Sequence, residues 1–592
     1  MKLRLATAVG LVLLLTASLV MAADTVELPK DLQELLPVDP AILFTCTSVE
    51  ELDASWLEIQ EAFADEDDEE PLDLLAWMRE EFEEFDAAID PARPMAVALD
   101  MGPVMMGQEP YVTLVMPLNA EFADRESLLE DDGETTTLIQ GDYLVFNTSY
   151  CYHPACVIPA IAQDMVPGVL NVVIDLEGLL LTYRPFVEMG LASIPVGIAT
   201  TDTLPSGEVV VTDEGMTQEE ADALAVMIRA LMDSVDRMDM GVGAGDSKIR
   251  FDMQLTTLPG TPLSPGPMPD FADALALSGL LPGSGDFLMA IAMDMTPQFD
   301  VFKDFYILNM QRESEKMGAD IGPKYAAWFE DYLGMIDLWS KPLAGSYGFS
   351  TEGMVAHAAM ASDDAQADAD RLVALLEGMS NVGMGVSLTP LPGADVDGVA
   401  VRSWKIDIDP ETMTGLSGSV AEPELSAMGR MQADQLAAMM KKIVPGLSIA
   451  VQGNHVLLSA DDDPTAMAGM IAAAAKGGAD PNEDLAKVAK AAGPGVQEVV
   501  TGDMMAILNW VSGFMEEAGD EDWEVIKDNP IPFNGVYTIN GEKLGFAMNM
   551  DMPALKNLIR AFDEMDLDED MKGYSDETEE EVEEKMEEEE EG

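Results

Sequence analysis

Histidine and cysteine are nearly absent, three of each in 592 residues. Nucleophilic hydrolysis by a serine or cysteine needs a histidine within reach, and only His153, His357 and His455 can supply one. No Gly-x-Ser-x-Gly elbow, His-Glu-x-x-His pair, Walker loop or Gly-x-Gly-x-x-Gly turn opens a helix after a strand. Basic residues are scarce as well: 31 Lys and Arg face 110 Asp and Glu, a net charge of −79. Such a surface repels nucleic acid and anionic lipid and favours cations or basic partners. The segment from Ala561 onward carries only 16 of the surplus charges, so acidity belongs to the whole surface. The plainest account is solubility in a salty medium, where counterions screen the repulsion.

Long apolar runs are also missing after the N-terminus. The start has Lys2 and Arg4, an apolar stretch Leu5–Met21 and then small residues. That order predicts a secretory signal peptide over 1–22, cleaved after Ala22 or Ala23. An uncleaved anchor is the alternative, but the run is marginal for a span and ends in a Val-x-Ala-like site. No cysteine follows the cleavage site, so lipid attachment is not indicated there. No later stretch is apolar for long enough to span a bilayer, and the mature chain is expected to be soluble, in the periplasm or outside the cell.

What is abundant is apolar residues, 48% of the chain, including 43 methionines. The remaining length exceeds one core, so two or more domains are expected. Exported methionine-rich proteins can bind copper through thioether clusters. Here most methionines fall at core-facing periods, where a flexible thioether fills space.

Four phrases occur twice in the same order. Leu35-Leu-Pro37 before Ile42–Cys46 returns as Leu280-Leu-Pro282 before Phe287–Ile291. Leu138–Phe146 returns as Ala450–Leu458, Pro167–Val173 as Pro494–Val500, and Lys248–Met253 as Lys543–Met548. This predicts a tandem duplication: a first repeat over 23–258, a Pro-rich linker over 259–272, a second repeat over 273–560, and an acidic, disordered tail over 561–592.

Within the first repeat, a buried strand over 41–47 leads into a helix with the capping box Ser48-Val-Glu-Glu51. A second helix is expected over Leu72–Ile89, then strands Met95–Asp100 and Tyr111–Leu118 and a helix over Ala120–Leu129. A hairpin turns at Gln140-Gly141-Asp142. The strand Leu170–Asp175 hands over to a helix over Leu176–Met189; Thr217-Gln-Glu-Glu220 caps a helix reaching Met238, and Lys248–Thr257 is a closing strand. The second repeat adds a helical stretch around Pro423–Lys442. Hairpins and long helices without regular βαβ alternation predict an α+β fold with largely antiparallel sheets, each covered by helices on one face.

The hairpin phrases Gly141–Asn147 and Gly453–Ser459, together with the opening strands and the export signal, resemble exported bacterial proteins with repeated domains of unknown function. The resemblance implies an envelope protein. It supplies no catalytic residues.

The densest chemistry is Cys151-Tyr-His153-Pro-Ala-Cys156. Export into an oxidising compartment favours a Cys151–Cys156 disulfide; pairing through Cys46 and metal binding are the alternatives. Zinc would need a fourth ligand, and the spacing fits neither Cys-x-x-Cys nor haem attachment. The second repeat has Ser459-Ala-Asp-Asp-Asp-Pro464 at the same place, so the shared architecture does not require the cysteines.

His357, in an apolar strand, reads as a satisfied sheet residue, and His455, which replaces Tyr143 of the first copy, reads as packing. Counted from Asp568, a calcium loop would put Lys572 and Ser575 at unsuitable positions, which leaves loose divalent-cation binding by the tail. With acids everywhere, a glycosidase dyad can be neither picked out nor dismissed. No catalytic, cofactor or metal residues are assigned. The favoured function is a non-catalytic binding or structural protein of the envelope, with an apolar groove suggested by small residues such as Met467–Ala475. A basic protein partner is an alternative occupant, and a carboxylate hydrolase, assisted by a divalent cation, is the rival function.

Overall fold

A computed structural model describes residues 28–63, 88–106, 108–129, 136–148, 159–194, 199–203, 209–213, 216–245, 248–283, 285–316, 321–350, 353–383, 385–409, 446–461, 464–478, 480–515, 530–551, 553 and 556. Everything below concerns these residues. The expected signal segment, the expected Leu72–Ile89 helix apart from its end, Cys151 and Cys156 with His153, the stretch around Pro423–Lys442 and the acidic segment 561–592 lie outside them.

The strands are β1 Ile42–Cys46, β2 Met95–Asp100, β3 Tyr111–Pro117, β4 Thr136–Gln140, β5 Tyr143–Asn147, β6 Leu170–Asp175, β7 Ala199–Thr203, β8 Val209–Asp213, β9 Val235–Gly245 and β10 Lys248–Thr257. They continue as β11 Phe287–Ile291, β12 Leu343–Ser350, β13 Gly353–Ala361, β14 Val386–Pro390, β15 Ala394–Val396, β16 Val399–Ile408, β17 Gly446–Gln452, β18 His455–Ala460, β19 Val496–Asp503, β20 Pro532–Asn540 and β21 Lys543–Asp551. The helices are α1 Lys30–Gln33, α2 Val49–Phe63, α3 Leu176–Ala192, α4 Gln218–Met232, α5 Phe271–Leu277 and α6 Thr296–Lys316. They continue as α7 Gly322–Leu333, α8 Ile336–Trp339, α9 Ala365–Val382, α10 Pro464–Ala475, α11 Glu483–Ala492 and α12 Met504–Met515.

Several ends follow from local chemistry. Ser48 Oγ accepts the Glu51 N–H at 3.0 Å below α2. Thr217 and Glu220 cap α4 reciprocally, a full capping box. That helix stops at Met232, not Met238. From Val235 the pattern switches to a period of two, with Met238, Met240 and Val242 alternating with Arg237, Asp239 and Gly241, and the segment becomes β9. The expected helix over Ala120–Leu129 is only a short 3-10 turn, Arg125–Leu128.

The sheets expected for two separate repeats are one. Among the described residues, nineteen strands join in a single antiparallel sheet, and only β7–β8 stand apart as a hairpin. Its centre is β10 against β21, with Lys248 opposite Asp551 and Thr256 opposite Lys543. Outward from there one wing runs β9, β6, β1, β2, β3, β5, β4. The other runs β20, β19, β11, β12, β13, β18, β17, and β16 with β14 and β15 ends it.

In the first wing Leu43, Ala98, Val115, Val145 and Val173 share a core with Leu32, Leu35 and Leu36 from α1 and its C-terminal turn and with Ile161–Met165. In the second wing the cover is double. Ala359, Ala450 and Leu457 pack toward Leu277–Leu281 and α10, while their strand neighbours Met360, Ile449 and Val456 pack toward α8 and α9. Helices on a single face are therefore not the rule here: β13, β17 and β18 are apolar on both sides, as strands sandwiched between helices must be.

Candidate functional site

α10 carries two kinds of side chain. Met467, Met470, Ile471 and Ala474 are buried against the sheet. Thr465, Ala466, Gly469 and Ala473, one turn apart, are small and leave space beside them. That space is a cleft of about 560 Å³. Its other walls are the turn Gly279–Pro282, Asp286 just before β11, Gly348 and Phe349 on β12, Val355 and His357 on β13, and Asp461 after β18. The size falls within the range of small-molecule sites, which pair apolar walls with a few placed polar groups.

His357 is the polar centre. It is 6% exposed, and Nδ1 lies 3.1 Å from Ser459 Oγ. Register explains the contact, because His357 is directly opposite both Ser346 and Ser459. Nε2 is turned toward Asp461 Oδ2 at 4.0 Å, too far for a hydrogen bond. Burial pulls the His357 pKa below its ordinary value, and the Asp461 charge opposes this more weakly. Burial therefore favours the neutral imidazole. Asp286 Oδ2 accepts the Phe349 N–H at 2.6 Å, which fixes that carboxylate at the cleft wall.

Ser459, His357 and Asp461 have the residue types of a hydrolytic triad but not its geometry. Ser459 is 2% exposed in the middle of a paired strand and does not line the cleft, so no substrate carbonyl reaches its hydroxyl.

Two other polar groupings are structural. Ser362 Oγ accepts the Asp364 N–H and donates to the buried Asp368, which also holds Lys341 Nζ. Asp368 thus takes both the Ser362 hydroxyl and the Lys341 ammonium, which ties the three side chains to one another. At the sheet centre Asp239 and Asp252, 0% and 3% exposed, are held by Arg237 and Arg250. Burial pushes Asp252 up to about 6, against the pull of Arg250. Both acids are sealed from solvent.

The expectation of His357 as a satisfied sheet residue covers Nδ1, bonded to Ser459; the residue also lines the cleft, with Nε2 4.0 Å from Asp461. His455 opens β18 half-buried, where Tyr143 opens β5 fully buried. Cys46 is a free, buried thiol on β1, pushed by burial up to about 11. Cys151 and Cys156 belong to the undescribed residues, and so does the calcium-loop stretch from Asp568. Among the described residues no helix is long and apolar enough to cross a membrane.

No protein-family model matches the chain, and no curated protein or solved structure matches it.

Proposed function

We propose that the chain is an exported, non-catalytic binding protein of the bacterial envelope, built by duplication of one α+β unit, whose second copy holds a small, largely apolar molecule. The cleft beside α10 carries this reading. Its walls are mostly apolar or small, with one buried imidazole, that of His357, among them. The order of strands on either side of β10–β21 supports the duplication, since the four repeated phrases fall at matching places in the two wings. Export rests on the N-terminal segment alone.

Protein purified from its native source, extracted with organic solvent and examined by mass spectrometry, is expected to release a stoichiometric small molecule. A clean extract, with no uptake of apolar probes afterwards, removes the reading. The rival hydrolase is favoured by one observation: Asp286 and Asp461 line the same cleft. Turnover of nitrophenyl glycosides or esters that is lost in Asp461→Asn would replace binding with catalysis.

A further inference from the structure

The charged groups at the cleft are all of one sign. Asp286 and Asp461 line it, and among the described residues no lysine or arginine does. The backbone N–H of Phe349 donates to Oδ2 of Asp286 at 2.6 Å and anchors that carboxylate in the cleft wall. His357, more than nine-tenths buried, lines the same cleft, with Nε2 4.0 Å from Asp461 Oδ2. The remaining wall is apolar: Leu280, Leu281, Val355 and Met470. Around it the chain carries 79 surplus negative charges, a field that concentrates cations at a low-dielectric cleft.

We infer that the cleft takes an organic cation, a primary amine on an apolar body, with the ammonium between Asp286 and Asp461 and the apolar part along α10. This rests on the binding reading above and adds the ligand class to it. An ammonium has three donors and no acceptor, which suits two carboxylates, and Nε2 accepts the third bond in the tautomer whose Nδ1–H is donated to Ser459 Oγ. A carboxylate or phosphate head would meet only like charge. A neutral alcohol could fill the apolar part but would gain little from the acids.

The test uses the full chain and three matched probes below their micellar concentrations, decylamine, decanol and decanoate, by calorimetry in 0.5 M NaCl. High salt suppresses adsorption to the acidic surface. The expected result is one site, with decylamine at least tenfold tighter than decanol and decanoate undetected. Octylamine should bind more weakly by about fourfold for each methylene removed. Asp461→Asn and Asp286→Asn should each bring the amine down toward the alcohol.

Gly469→Leu supplies the control for the place of binding. A Cβ at Gly469 meets nothing within 4 Å and Gly469 lines the cleft, so a leucine there should occupy the cleft and abolish uptake, with the melting midpoint confirming a folded chain. Decanol binding as tightly as decylamine overturns the cationic class and leaves the binding reading standing. Amine uptake unchanged in Gly469→Leu overturns the site. Uptake of none of the three probes removes the binding reading itself.

Discussion

Nδ1 of His357 lies 3.1 Å from Ser459 Oγ, across the β13–β18 pair. The first wing has Thr113 and Asn147 in the corresponding relation across β3–β5, joined by an amide-to-hydroxyl hydrogen bond. At this matching place each wing closes a polar pair across two strands, and the pair in the second wing uses a ring with a second nitrogen.

Removing the serine tests how much that bond holds. Ser459→Ala leaves a buried ring nitrogen without a partner and is expected to cost about 1–3 kcal/mol. Urea unfolding followed by tryptophan fluorescence measures it. A loss below a few tenths of a kcal/mol would mean that the imidazole finds another partner.

A second consequence concerns pH. Glu498 sits on β19 opposite Tyr537, and burial alone pushes its carboxyl up to about 7. The folded chain keeps this proton well above the ordinary glutamate range, whereas the unfolded chain releases it near 4.3. Its stabilising contribution is therefore complete below about pH 4 and is lost as pH rises through 7. Asp252 acts in the same direction, over the window up to about 6. Glu498→Gln should leave the melting midpoint at pH 4.5 nearly unchanged and raise stability at pH 8 by about 3–4 kcal/mol. Equal shifts at both pH values would refute it.

Close approach of two backbones sets a third expectation. A Cβ on Gly241 would stand 2.4 Å from the Pro167 carbonyl oxygen and 3.0 Å from Asn171 Oδ1. Gly241→Ala must push β9 away from the start of β6, at a cost of about 1–3 kcal/mol. Thermal unfolding against Gly469→Ala separates this from a general glycine effect. At Gly469 there is room, and the helix should gain about 0.5–1 kcal/mol.

Salt provides the fourth. With 110 acidic and 31 basic side chains, self-repulsion outweighs the surface ion pairs. Raising NaCl from 0.02 to 0.5 M is expected to raise the melting midpoint by on the order of 5 °C. A falling midpoint would show that the ion pairs, such as Arg371–Asp337, dominate.

Much of the fold is legible in the residues. The strands Met95–Asp100, Leu170–Asp175 and Lys248–Thr257 end where alternation and flanking signals place them. The Thr217 cap is likewise plain from spacing. β9 is obscured because Asp233 and Ser234, poor breakers, follow directly on α4, and the helical period expected as far as Met238 overruns the helix by six residues. The short turn at Arg125–Leu128 shows tertiary context overriding helix propensity over Ala120–Leu129.

The cleft was hidden for a different reason. Its lining comes from 279–282, 286, 348, 349, 355, 357, 461 and the 465–473 face of α10, and nothing local tells which strands bring these together. The register that sets His357 beside Ser459 belongs to the sheet alone. One trace was visible, the run of small residues Met467–Ala475 on the helix that walls the cleft.

The join of β10 to β21 has a consequence for the order in which the chain is made. β10 at 248–257 is complete nearly three hundred residues before β21 at 543–551 emerges to cover its edge. Through that interval the first wing is a finished half-sheet with a bare border, carrying Ile249, Phe251, Met253 and Leu255 on one face. Pairing so distant in sequence forms late. A truncated chain ending before Pro532 keeps the border permanently open, and its natural complement is the same border on a second truncated molecule.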